Sequence, residues 1–162
     1  GAHYGRALSE KHDPDLVKNL RRQLADAHAP AILRLELARL LQYYQELDAD
    51  LLKGMLDPAN PAPMRLIACE TILAECGDVS TLKTGALAAL RDLARLPNRE
   101  IALATADVIQ RRLGVDLGLG LGLPLPPVHS RQAADVTRRL MHWASQFAEE
   151  EAELEDSRLL PQ

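Results

Sequence analysis

At 162 residues the chain is long enough for one domain, and a domain of this size typically buries about 68–70% of its unfolded surface. Apolar residues make up 47% and only five residues are aromatic, so the core must be built from Leu and Ala; these are strong helix formers, and the scarcity of β-branched residues disfavours a sheet protein. Residues 1–148 carry 18 Lys or Arg against 17 Asp or Glu, whereas residues 149–162 carry six acids and one Arg; a near-neutral body with an acidic end argues against a dedicated nucleic-acid surface, which shows a basic excess.

Gly1-Ala2-His3 reads as a cloning remnant and residues 1–12 as a flexible lead-in to a piece of a longer protein. The first helix starts at His12-Asp13-Pro14-Asp15, where Asp13 can cap, Pro14 suits the first turn and Asp15 favours the positive helix end. Leu16, Leu20 and Leu24 form its apolar stripe. The second helix is expected from about Pro30 to Glu46, with Leu33, Leu37, Leu40, Leu41 and Tyr44 on one face. A third begins near Asp48 and carries Leu51, Leu52, Met55 and Leu56. A fourth follows Pro63 with Met64, Ile67, Ala68, Thr71 and Ile72, and stops at Gly77.

Cys69 and Cys76 lie on that fourth helix, about 10 Å apart along its axis and too far to bridge. Free thiols suit a reducing compartment, so a cytoplasmic location is expected. No apolar run of 18 residues and no signal-peptide pattern is present in the sequence.

Ser80 can cap a fifth helix bearing Leu82, Ala86, Leu90 and Leu93, in which Gly85 marks a weak point. After Pro97-Asn98, a sixth carries Ile101, Thr105, Val108 and Ile109 and ends at Gly114. Such short breaks place consecutive helices antiparallel and in contact.

The breaks at residues 25–30, 57–63 and 96–98 are each followed by an arginine, Arg34, Arg65 and Arg99, spaced 31 and 34 residues apart. A helix-turn-helix unit recurring at that length is the signature of a helical repeat stack. Leu51-Leu52-x-x-Met55-Leu56-Asp57-Pro58, then Met64-Arg65-x-x-Ala68, then Gly77, resembles the HEAT repeat pattern. The unit at 14–46 matches it through Leu20, Leu24, Asp26, Leu33 and Arg34. The unit at 80–114 keeps Arg99, Ile101, Ala102 and Gly114. The resemblance spans roughly residues 13–115 and implies a short, bacterial-type α-solenoid of about three helix pairs. The tetratricopeptide alternative lacks its required Trp, Gly and Tyr positions.

Residues 116–129 form a connector that alternates Gly with Leu and then turns Pro-rich. Gly118 and Gly120 begin a dinucleotide fingerprint, but its third glycine would fall at Leu123 and no strand precedes it. The leucines are expected to pack along the protein's own groove, the sharper alternative being that they dock into a neighbouring molecule. Ser130 caps a last helix, 130–148, with Ala133, Val136, Leu140, Trp143 and Phe147 on one stripe, positioned to cover the end of the repeat stack. The acidic tail 149–162 is unfavourable at a helix C-terminus and is expected to fray.

In HEAT-like proteins the recurring arginine bonds within and between repeats, and that reading of Arg34, Arg65 and Arg99 is favoured over an arginine-lined groove. Arg21-Arg22, Arg111-Arg112 and Arg138-Arg139 read as solvated faces. His3, His12, His28, His129 and His142 share no ligand spacing, so no metal and no cofactor is expected. Tyr43 and Trp143 are amphipathic enough to anchor a partner, while Tyr44 and Phe147 read as core.

These observations lead to an all-α, noncatalytic scaffold or adaptor domain that recognises an unidentified protein or peptide. Arg34, Arg65, Arg99, Tyr43 and Trp143 are its candidate contact residues. A nucleic-acid-binding helical repeat is the alternative, and an enzyme with an unrecognised site the third reading.

Overall fold

The computed structural model describes residues 13–77 and 80–159, with the side chains of Ser80 and of residues 147–159 left aside. The lead-in at 1–12 and the side chain of Phe147 lie outside that description. The described residues form seven helices and no strand: α1 Pro14–Ala25, α2 Ala31–Tyr43, α3 Ala49–Met55, α4 Ala62–Glu75, α5 Ser80–Ala94, α6 Arg99–Leu113 and α7 Arg131–Leu159. The protein is all-α, and none of these helices is long and apolar enough to cross a membrane. Packing divides it into two compact units, one ending at Ala86 and the other starting at Leu87, so α5 contributes to both.

Local chemistry sets the helix ends. Asp13, Asp48 and Asn98 accept at their side chains from the amides of Asp15, Leu51 and Ile101, satisfying first-turn donors that have no helical partner. Gly77 and Gly114 adopt φ of +54° and +70° just past α4 and α6, the left-handed conformation that glycine reaches without a Cβ penalty. The second helix ends at Tyr43, short of the expected Glu46, and Gln45 takes φ +57° beyond it. Gly85 does not interrupt α5, which runs unbroken.

Within the first unit one hydrogen-bonding pattern occurs twice. It is carried by the segments Asp26-x-x-x-Pro30-x-x-x-Arg34 and Asp57-x-x-x-Pro61-x-x-x-Arg65, which share their spacing. Each Asp carboxylate accepts from the amide two residues on, His28 at 2.9 Å and Ala59 at 2.8 Å, and each proline carbonyl accepts from the arginine amide. Buried positions repeat at the same spacing: Leu24 with Met55, Leu37 with Ala68, Ala38 with Cys69, Leu41 with Ile72. Helices α1 and α2 pack together, as do α3 and α4, and α2 lies on α4.

The buried face differs from the expected one in both helices of the first pair. Val17 and Leu24 are buried in α1 while Leu16 is exposed; the face turns because Arg21, on its flank, is half-buried and paired with Glu46 at 2.7 Å. In α2 the core is Leu37, Ala38 and Leu41, and Leu33 and Leu40 face outward. Ala38, without bulk, sits where α2 meets α4; counting large apolar residues overlooks such a position.

In the second unit α6 packs on α7. Ala133, Val136, Leu140 and Ala144 of α7 are fully buried, and Trp143 is half-buried. Helix α7 continues past the expected end at 148 to Leu159, because Glu, Ala and Leu are strong helix formers whose propensity outweighs an unfavourable charge at the helix end. The connector between α6 and α7 is non-helical. Its leucines divide: Leu117 and Leu119 are buried, while Leu121, Leu123 and Leu125 are exposed. The Gln110 side chain accepts from the amides of Leu117 and Leu119 and donates to the Leu119 carbonyl at 2.7 Å, pairing with the extended chain as a neighbouring strand would.

Candidate interaction surfaces

Arg34 and Arg65 are the fourth residues of α2 and α4, and both are half-buried. The Arg34 Nε donates to the Leu24 carbonyl at 2.9 Å and its Nη1 to the Asn60 side-chain oxygen at 3.1 Å. The Arg65 Nε donates to the Asn60 backbone carbonyl at 3.1 Å. Both guanidinium groups are therefore held against turns within the unit.

Arg99 does not belong to this pair. It is the first residue of α6, and the amide that donates to the Asn98 carbonyl, as Arg34 and Arg65 donate to Pro30 and Pro61, is that of Ala102. The spacing of 34 residues hides a three-residue shift of register. Arg99 is exposed and its Nη1 donates to the Val128 carbonyl at 3.0 Å.

Tyr43 and Trp143 sit on different units. Tyr43 is 71% exposed and stacks edge-on against Tyr44, ring centres 5.2 Å apart. It belongs to an apolar strip on α2 with Ile32, which is 79% exposed, Leu33 and Leu40. At 100° per residue these four, with Glu36 and Arg39 among them, fall within about 120° of the helix circumference. Ala38, and Gln42, whose side chain donates to the Thr71 hydroxyl at 3.1 Å, point instead toward α4.

Trp143 lines a recess of about 530 Å³ with Val115, Leu117, Arg138, Arg139 and His142. Asp135 pairs with both Arg138 and Arg139, which balances much of the recess's positive charge. Gly118 lies against that ion pair; a Cβ there would come within 3.6 Å of the Arg139 guanidinium.

The two cysteines lie apart from these surfaces. Burial pushes the Cys69 thiol up to about 12, and its sulfur donates to the Ala86 carbonyl at 3.5 Å. Burial, with Glu75 beside it, also raises Cys76. Neither is a ready thiolate nucleophile. Among the described residues no group of three His, Cys, Asp or Glu converges as a metal site requires.

Two important residues escaped the sequence reading. Ile32 lies on the flank opposite the counted stripe, where only the direction of α4 shows it to be exposed. Asn60 looks like ordinary turn polarity until its partners are seen. No family model, curated protein or solved structure matches the chain.

Proposed function

We propose that the chain is a noncatalytic protein-interaction domain of the HEAT-like helical-repeat class, and that the outer face of α2 receives a partner helix. One observation carries this reading. Leu33 and Leu40 are 44% and 39% exposed, whereas the residues 31 positions on, Met64 and Thr71, are 0% and 3% exposed. In the second helix pair these positions are closed over, and α2 itself touches Thr71 through Gln42. In the first pair the same positions stand open and carry leucines. An exposed apolar strip rimmed by charge marks an interaction site. The engagement of Arg34 and Arg65 with carbonyl groups supports protein docking over nucleic-acid binding, since both cations are already committed.

Affinity capture with the wild-type domain and with an Ile32→Glu/Tyr43→Glu variant tests this. Both residues are exposed, so the variant should keep the wild-type circular dichroism and unfolding midpoint. The expected result is a set of proteins retained by the wild type and lost by the variant. An identical set from both would overturn the assignment of this face.

A further inference from the structure

The strip on α2 has a property that an arbitrary docking face would lack: it is complementary to itself. Its residues are arranged about the middle of the 13-residue helix, with Ile32 near one end and Tyr43 at the other. Glu36 and Arg39 stand on either side of the midpoint. If a second α2 is laid antiparallel on the first, with the two-fold axis between positions 37 and 38, Ile32 of each copy meets Tyr43 of the other. The same operation sets Glu36 against Arg39 in both directions. Within one helix these two already pair at 3.2 Å, both side chains more than half exposed, so they can turn outward to a second copy without leaving a buried charge. Leu33 and Leu40 fill the space beside them.

We propose that a second copy of this chain occupies the α2 face, forming an isologous, antiparallel α2–α2 contact. Closed two-fold contacts of this kind use one patch twice, and opposite charges across them fix register and exclude the parallel arrangement. The inference rests on the docking-face reading above and names its occupant. One helix about 20 Å long and about 10 Å wide offers less than the ~800 Å² per partner of a standard interface. Association is therefore reversible and concentration-dependent.

Sedimentation velocity over a concentration series tests the proposal, with charge-reversal variants checked by circular dichroism. The wild type should shift from monomer to dimer as concentration rises. Glu36→Arg and Arg39→Glu should each weaken self-association by about tenfold or more, the equivalent of about 1.4 kcal/mol, because each homodimer would face like charges. Mixing the two variants should restore a dimer, since every arginine then meets a glutamate. The double reversal Glu36→Arg/Arg39→Glu should dimerise as the wild type does. A wild type that stays monomeric at every concentration, or single variants that dimerise equally well, overturns the second copy as occupant. A monomeric wild type that still captures proteins lost by Ile32→Glu/Tyr43→Glu leaves the docking face standing with a different occupant; a monomer whose captured set matches the variant's removes both.

Discussion

Arg34 joins two turns through one planar group: its Nη1 donates to the Asn60 Oδ1 at 3.1 Å while its Nε donates to the Leu24 carbonyl at 2.9 Å. Leu24 lies in the last turn of α1, where carbonyls lack a helical partner, and Asn60 lies in the turn between α3 and α4. The link thus runs from one helix pair to the next. Asn60 is the common point: its Nδ2 donates to the carbonyls of Gly54 and Met55 at the end of α3, and its own carbonyl accepts from Arg65. Asn60→Ala should cost about 2 kcal/mol, because it removes one of the two acceptors of Arg34 and the donor to two carbonyl groups at once. Arg34→Lys should recover little, since an ammonium cannot span both acceptors as the guanidinium fork does. Arg99→Ala, a single exposed contact, should stay within about 0.5 kcal/mol. Urea unfolding of the three variants checks the ranking.

The outline of the helices was legible in the sequence because caps and stops act locally. Asp13, Asp48 and Asn98 need only the next turn's amides, and Gly77 and Gly114 need only their own backbone. Which face of α1 and α2 is buried was not legible. Leucine and isoleucine surround α2 at positions 32, 33, 35, 37, 40 and 41, so periodicity permits several faces and the choice falls to neighbours distant in sequence. The arginines make a similar point: a spacing count cannot see that Arg99 opens its helix while Arg34 and Arg65 stand one turn inside theirs. Asn60 acquires its role only when three chain segments meet.

The corrected α2 register has a direct consequence for stability. Leu37 is buried, so Leu37→Ala should destabilise by roughly 2–5 kcal/mol. Leu33→Ala, on the open face, should cost well under 1 kcal/mol. Ile67 is only half-buried, and its truncation should fall between them. Equal shifts in thermal unfolding for Leu33→Ala and Leu37→Ala would contradict the register.

Two glycines should respond to alanine with opposite signs. Gly54 lies within α3 with nothing close to its would-be Cβ, so Gly54→Ala should stabilise by up to about 1 kcal/mol through helix propensity. Gly77 also has open space, but its φ of +54° strains any residue with a Cβ, and Gly77→Ala should destabilise by about 1–2 kcal/mol. Melting temperatures of the two variants moving in the same direction would refute the assignment.

The two thiols should differ in accessibility to a thiol-specific reagent. Reaction proceeds through the thiolate, and with Cys69 pushed up to about 12 by burial almost none is present near pH 8. Cys69 should therefore react only on unfolding, its rate following denaturant. Cys76 is raised too, but it is part-exposed; it should react in the folded protein, faster as pH rises. Peptide mapping of the labelled protein separates the sites, and native labelling of Cys69 at the rate of Cys76 would mean that α4 is less closely packed than described.

Gln110 should prove to be the residue that holds the connector in place. The Leu117 and Leu119 amides both donate to its side-chain oxygen, and its amide group returns a bond to the Leu119 carbonyl. Because Leu117 and Leu119 are buried and these bonds are partly shielded from solvent, each group left unpaired would carry a desolvation cost of up to about 1–3 kcal/mol. Gln110→Ala should thus detach this stretch before it unfolds the helices. Hydrogen exchange at the Leu117 and Leu119 amides should accelerate sharply while the buried amides of α6, such as Ala106, keep their protection. Gln110→Glu keeps the acceptor but loses the donor, so it should leave both amides protected and remove only the bond to the Leu119 carbonyl. If exchange at 117 and 119 is unchanged in Gln110→Ala, apolar burial of the two leucines alone anchors the segment.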